Sequence, residues 1–225
     1  MPANADVQTF LRQVASMPNA KPTGRRGRLL FGIDATASRQ PTWDTACQIQ
    51  SEMFKETASL GGLDVQLVFY RGFHEMKATP WVGDSNRLAA IMGRVNCLGG
   101  QTQLGRLLRY AVGETKRQRI DALVFIGDCL EENVDAVCAT AGELGLLSVP
   151  CFMFHEGGDA VAMHGFRQIA ELTRGAFCRF DTGSAAELRQ LLAAVAVYAA
   201  GGRKALADYS RRAGGATLQI AHQMK

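Results

Sequence analysis

Two stretches of this 225-residue chain, "RLLFGID" (28–34) and "ALVFIGD" (122–128), run apolar without polar alternation and end on an aspartate. A strand that is apolar on both faces needs cover on both faces. That requirement points to the interior of a parallel sheet held between two layers of helices. "DVQLVFY" (64–70), "VPCFMF" (149–154) and "AFCRF" (176–180) read as further strands. "FHEMKATPWV" (73–82) is more polar and carries Pro80, so it is expected at an edge.

Helical periodicity fills the gaps between these runs. Residues 42–60 place Ala46, Ile49, Met53 and Leu60 on one side and stop at a Gly-Gly pair. Residues 85–95 form a short helix, and 103–117 turn Leu104, Leu107, Leu108 and Ala111 inward. Helices are also predicted over 134–147, 166–175 and 184–202, the last with Leu188, Leu191, Leu192 and Val195 on one stripe before a second Gly-Gly pair. The expected fold is α/β: a doubly wound, mostly parallel central sheet with one antiparallel edge strand and helices on both faces, Rossmann-like in architecture. Residues 1–28 are expected to form an amphipathic helix (Val7, Phe10, Leu11, Val14) and a linker. Residues 29–202 form the domain, and 203–225 a C-terminal extension.

Composition narrows the function classes. With 47% hydrophobic and 20% charged residues, the chain can bury a substantial core. The net charge of +4 is mild. Neither Arg25, Arg26 and Arg28 nor Arg211 and Arg212 are interleaved with aromatics, so both clusters read as solvated positions rather than a nucleic-acid surface. No apolar run reaches the roughly 18–20 residues of a membrane helix. The opening segment lacks the basic-then-apolar order of a signal peptide. The six cysteines form no CxxC pair, which argues against a zinc site or a disulfide framework and for a reducing cytoplasm.

In a doubly wound sheet, ligands bind beyond the carboxyl ends of the strands. Three loops at that rim carry oxygen donors: "DATAS" with Asp34, Thr36 and Ser38, "GGQT" with Thr102, and "GD" with Asp128. Alternate residues of an extended segment point the same way, so Asp34, Thr36 and Ser38 can converge. Carboxylates and hydroxyls without histidine or thiolate make a hard site suited to Mg²⁺ or Mn²⁺.

Asp-x-Thr-x-Ser, a threonine after Gly-Gly, and an aspartate closing an apolar strand resemble the von Willebrand factor A-like (VWA) family and its metal-ion-dependent adhesion site (MIDAS), usually Asp-x-Ser-x-Ser, Thr, Asp. The order of elements fits from Leu29 to about Gly202. The resemblance implies that Thr36 and Ser38 bind the metal through their hydroxyls and that Thr102 joins in the ligand-bound state. Asp34 and Asp128 would act largely through waters. It also implies a protein partner that presents Asp or Glu to the metal. Thr36 departs from the commoner serine but keeps the hydroxyl. The wording of "DATASRQPTWD", "VFYRG", "GGQTQLG" and "FIGDCLEE" is similar to an intracellular bacterial branch.

Each residue also has a plainer role. Asp34, Thr36 and Ser38 suit a helix N-cap, Thr102 suits the cap of the next helix, and Asp128 suits backbone donors at a strand end. Glu131 and Glu132 fit either the rim or a solvated helix start. His155 and Glu156, in "FHEGGD", fit either the ligand face or an exposed loop, and Arg39 either attracts a carboxylate or faces solvent. Trp43 reads as packing. No nucleophile or base for catalysis is evident. A phosphohydrolase or ATPase is the competing enzyme class, but Thr36 stands where such sites need a second carboxylate or a glycine, and no GxxxxGK[ST] loop exists. A third reading is an interaction domain whose metal site is idle.

Overall fold

Residues 25–180 and 185–212, together with Thr9, are described by a computed structural model of the chain. Six strands form one sheet in the order β3-β2-β1-β4-β5-β6: β1 (Gly27–Asp34), β2 (Leu63–Arg71), β3 (Glu75–Ala78), β4 (Ala122–Gly127), β5 (Cys151–Glu156) and β6 (Ala176–Phe180). All neighbours pair in parallel except β3, which runs antiparallel along β2 at the edge. The helices are α1 (Gln40–Ile49), α2 (Ser51–Thr57), α3 (Ser85–Met92), α4 (Leu104–Arg117), α5 (Val134–Leu146), α6 (Ala160–Leu172) and α7 (Ala185–Arg212). The expected α/β fold is therefore present, with its antiparallel strand where Pro80 placed the edge.

Period-two alternation divides each central strand between two cores. Leu29, Phe31 and Ile33 of β1 join Val65, Leu67, Val124 and Phe152 under α1, α2, α3 and α7. Leu30 joins Val68, Leu123, Phe125 and Met153 under α4, α5 and α6. Trp43 of α1 is 1% exposed in the first core, and its indole N–H donates to Met92 O at 3.2 Å, the packing role its position predicts. A side chain buried to that degree contributes about 2 kcal/mol or more through apolar area alone.

The two Gly-Gly pairs behave differently. Gly61 takes a left-handed φ of 97° and ends the α1–α2 region as expected. Gly202 also has positive φ, 71°, yet it only kinks α7, which resumes to Arg212. Leu206 beyond the kink is fully buried in the first core, so packing overrides the stop signal. Helix α6 begins at Ala160, six residues before the periodic stretch, because Asp159 caps it by accepting from Ala162 N–H at 2.6 Å.

Of the three arginines at the start of β1, Arg28 departs from the solvated position that its sequence context suggests: it is 5% exposed and pairs with Glu114 at 3.3 Å. Arg25 is half-buried against Asp121 at 2.7 Å, and Arg26 stays exposed while pairing with Asp64 at 2.7 Å. The expected N-terminal helix and residues 213–225 lie outside the described residues. Among the described residues, no helix is long and apolar enough to cross a membrane.

Candidate metal centre at the carboxyl edge

Strand order reverses between β1 and β4: successive units move outward through β2 on one side and through β5 on the other. The crevice beyond the carboxyl ends of such a pair is where doubly wound sheets bind ligands. β1 ends in Asp34, and Asp128 follows β4 directly. A cavity of about 340 Å³ lies there, lined by Asp34, Thr36, Ser38, Thr102, Asp128 and Glu131 among others. The five residues named by the sequence motif thus surround one space.

Asp34 is 0% exposed. Its Oδ1 accepts from Thr36 N–H at 2.7 Å and its Oδ2 from the Tyr70 hydroxyl at 3.2 Å. Both donors are neutral, and no cation among the described residues pairs with this carboxylate. Burial pushes its pKa up to about 6, against the smaller opposing effect of the Thr36 hydrogen bonds. Thr36 and Ser38 bring their hydroxyls within 3.5 Å of each other, and Ser38 Oγ donates to Asp128 Oδ2 at 3.0 Å. Neither Thr36 at the start of the 3₁₀ turn Ala37–Arg39 nor Arg39 before α1 makes a side-chain capping bond. These side chains face one another instead of capping helices.

Thr102 is held by a reciprocal pair of bonds. Its N–H donates to Glu131 Oε2 at 2.9 Å, and Glu131 N–H donates to its Oγ1 at 2.9 Å. A hydroxyl that accepts one bond keeps a lone pair for a second partner. The N-terminus of α4, expected to be capped by Thr102, is capped by Glu132, which accepts from Gly105 N–H at 2.9 Å and also from Leu104 N–H. So Glu131 and Glu132 brace the Thr102 loop, a role that sequence reading missed. The "LEE" following "GD" was the available signal, but the helix served is α4, about 27 residues upstream, rather than the helix that follows.

Gly100 explains why this loop needs glycine. A Cβ there would lie 2.0 Å from Gly72 O, so only glycine lets the 99–102 loop press against the turn after β2. Leu98 N–H donates to Ala35 O at 3.0 Å, tying the same loop to the end of β1.

Arg39, His155 and Glu156 sit behind the cavity. Arg39 is 6% exposed; its Nε lies 3.2 Å from Asp128 Oδ2 and its Nη1 contacts Glu156. Glu156 also accepts from the Thr42 hydroxyl. His155 Nε2 is 3.2 Å from Asp128 O, and burial lowers its pKa. The stretch "FHEGGD" is not an exposed loop at its start: His155 and Glu156 complete β5 and are 0% and 1% exposed. They support the site from beneath rather than face an incoming ligand.

The donor set tests whether a metal fits. Three carboxylates (Asp34, Asp128 and Glu131, the last engaged by Thr102 N–H) and three hydroxyls line one cavity, with Cys129 as its one thiol among the described residues, and make a mainly hard oxygen environment. Among the described residues, no group of three or more His, Cys, Asp or Glu is arranged to hold a metal. A soft zinc-finger-like cluster is therefore not what is built here, whereas a hydroxyl-rich site fits a hard ion.

A six-stranded sheet with this order, one antiparallel edge and oxygen donors at the switch point is the VWA fold. Solved structures agree. The VWA domain of SpRpn10 superimposes with a TM-score of 0.55 at 13% identity, over 79% of this chain and 98% of that one. The vWF domain of Mfa5, the type V pili tip protein of Porphyromonas gingivalis, gives a TM-score of 0.62 at 11% identity, over 78% and 95%. Proximal thread matrix protein 1 from the mussel byssus, solved with a zinc-occupied MIDAS motif, gives 0.57 at 12% identity, over 80% of this chain and 48% of that one. At these identities the likeness is one of fold. No protein-family model matches the sequence, and no curated protein matches it.

Proposed function

We propose that this protein is a divalent-metal-dependent protein-binding module, in which Asp34, Thr36, Ser38, Thr102 and Asp128 hold Mg²⁺ or Mn²⁺ and a partner supplies an Asp or Glu side chain. The observation that carries this reading is Asp34: a fully buried carboxylate, bonded only to neutral donors, facing a cavity lined with hydroxyls. A buried charge without a counter-charge costs several kcal/mol, and an external cation removes that cost. When bound, the metal supplies an open coordination position that accepts an anionic oxygen. The chain's own residues do the rest. Tyr70 and Thr36 orient Asp34, Ser38 and Arg39 orient Asp128, and Glu131 holds the Thr102 loop.

The zinc-occupied MIDAS of the mussel protein supports a divalent ion in a site of this fold, and the hard donor set here favours magnesium or manganese. Binding rather than catalysis is the role proposed. A reducing, cytoplasmic and bacterial setting accompanies it, in keeping with six separate thiols and the wording of the rim loops. Melting of metal-stripped protein tests the reading. At 100 times the dissociation constant, Mg²⁺ or Mn²⁺ should stabilise the fold by about 2.7 kcal/mol. For a domain of this size that is an upward shift of roughly 5–10 °C, absent from Asp34→Ala. Identical melts of the wild type with and without either ion would overturn it.

A further inference from the structure

The described residues expose five large hydrophobic side chains: Phe73, Leu98, Leu146, Val161 and Leu172. Two of them, Phe73 at 64% and Leu98 at 45% exposure, stand on the two chain segments that meet beside the candidate metal centre. Gly72 N–H reaches Leu98 O at 3.5 Å, and Gln101 N–H donates to Gly72 O at 3.2 Å. Gly99 and Gly100, which follow Leu98, line the cavity itself. An apolar step therefore borders the metal cavity on the β2–β3 side.

A cation stands at the same place. Arg106, on the first turn of α4, donates from Nη1 to His74 O at 2.8 Å and to Gln103 Oε1 at 3.1 Å, so its guanidinium is fixed against the turn that carries Phe73. No carboxylate among the described residues pairs with it. By contrast, Arg71 nearby is already matched by Glu75 at 3.0 Å. Arg39, behind the cavity, is buried and engaged with Asp128 and Glu156. The described residues on the β2–β3 side thus join to the carboxylate-seeking centre an exposed apolar surface and an arginine without a carboxylate partner.

We infer that the partner surface recognised here is an acidic–apolar protein segment, with one carboxylate for the metal centre, an apolar side chain seated on Phe73 and Leu98, and a second acidic residue for Arg106. This inference rests on the metal-site reading above and adds direction to it. The apolar contact contributes by removing Phe73 and Leu98 from water, and the arginine pair sets register and orientation. Interface energy concentrates in a few such aromatic and arginine positions.

The test uses a phage-displayed library of random 12-residue peptides, selected on the wild-type protein in Mg²⁺ or Mn²⁺. The peptides recovered are then measured against variants by fluorescence anisotropy. Recovered sequences should carry two acidic residues with Leu, Phe or another large apolar residue between them or beside them. Phe73→Ser should weaken binding about tenfold or more. Arg106→Gln should weaken it less, with a flatter salt dependence. Neither variant should change the metal-induced melting shift. Peptides that need metal but carry no apolar preference, and bind Phe73→Ser and Arg106→Gln as tightly as wild type, would overturn this inference and leave the metal reading standing. Binding lost in Phe73→Ser but indifferent to chelator and to Asp34→Ala would keep the surface and remove the metal. A wild-type protein that selects no acidic peptide in either ion would overturn both.

Discussion

Strand β1 carries a buried charge at each end, and the two are treated in opposite ways. At the amino end, Arg28 is 5% exposed and fully matched: Glu114 lies at 3.3 Å, Gln118 O accepts at 2.9 Å, and its guanidinium covers the Trp81 ring at 3.9 Å. Its backbone N–H donates to Asp121, which also takes Arg25. At the carboxyl end, Asp34 has no cation at all among the described residues, and its pKa rises to about 6. One end of the central strand is closed by internal ion pairs. The other is left with a charge that a cation from solution can complete. A buried charge that the fold leaves unmatched marks a binding site more clearly than one it satisfies.

Charge removal at the two ends should therefore act with opposite sign. Arg28→Ala strands Glu114 without its buried partner, while Asp121 keeps Arg25 and the backbone N–H of residue 28, and should cost about 3–5 kcal/mol in urea unfolding. Asp34→Asn in metal-free protein should do the reverse, stabilising by about 1–3 kcal/mol near neutral pH, because the ionisation cost disappears while an amide can still serve Thr36 and Tyr70. A loss of stability in Asp34→Asn would break the contrast.

pH sharpens the same comparison. The Asp34 carboxyl sits at 3.8 ordinarily and at about 6 when folded, so the native chain takes up a proton before the unfolded chain does. The cost of ionising it is absent below about pH 4 and fully present above about pH 6. Acidifying the metal-free wild type from about pH 7.5 to about pH 5 should recover about half of that cost, whereas Asp34→Asn should show no such component. The readout is the difference between the two proteins' unfolding free energies across this window.

Loop geometry gives the next effect. Gly100→Ala pushes a Cβ into Gly72 O and should destabilise by about 1–3 kcal/mol. Metal titrations of this variant should also show weakened affinity, since Thr102 moves with its loop. Smallest of all, Phe73→Ser should change the melting free energy by no more than about 0.5 kcal/mol, because that side chain is exposed and packs on little.

Much of this was legible in the chain itself. Apolar runs without alternation specify strands buried on both sides, and the spacing of Leu104, Leu107, Leu108 and Ala111 specifies a helix face, because both follow from local backbone periodicity. The oxygen donors Asp34, Thr36, Ser38, Thr102 and Asp128 were visible as three short loops at strand ends. Tertiary structure decided what those loops meet. Arg28, read as solvated, is buried by Trp81 and Glu114, and Glu156, placed beside a loop, is closed in by Arg39 and Thr42. Gly202, a stop by composition, became a kink because Leu206 found a place in the core. Glu132 caps a helix far upstream. In each case the deciding partner lies 20 or more residues away, or was fixed only by packing, and local periodicity carries no information about that distance. The same holds for Asp34. Its position was written in the motif, but its lack of a counter-charge emerged only when the strands of the sheet were laid side by side.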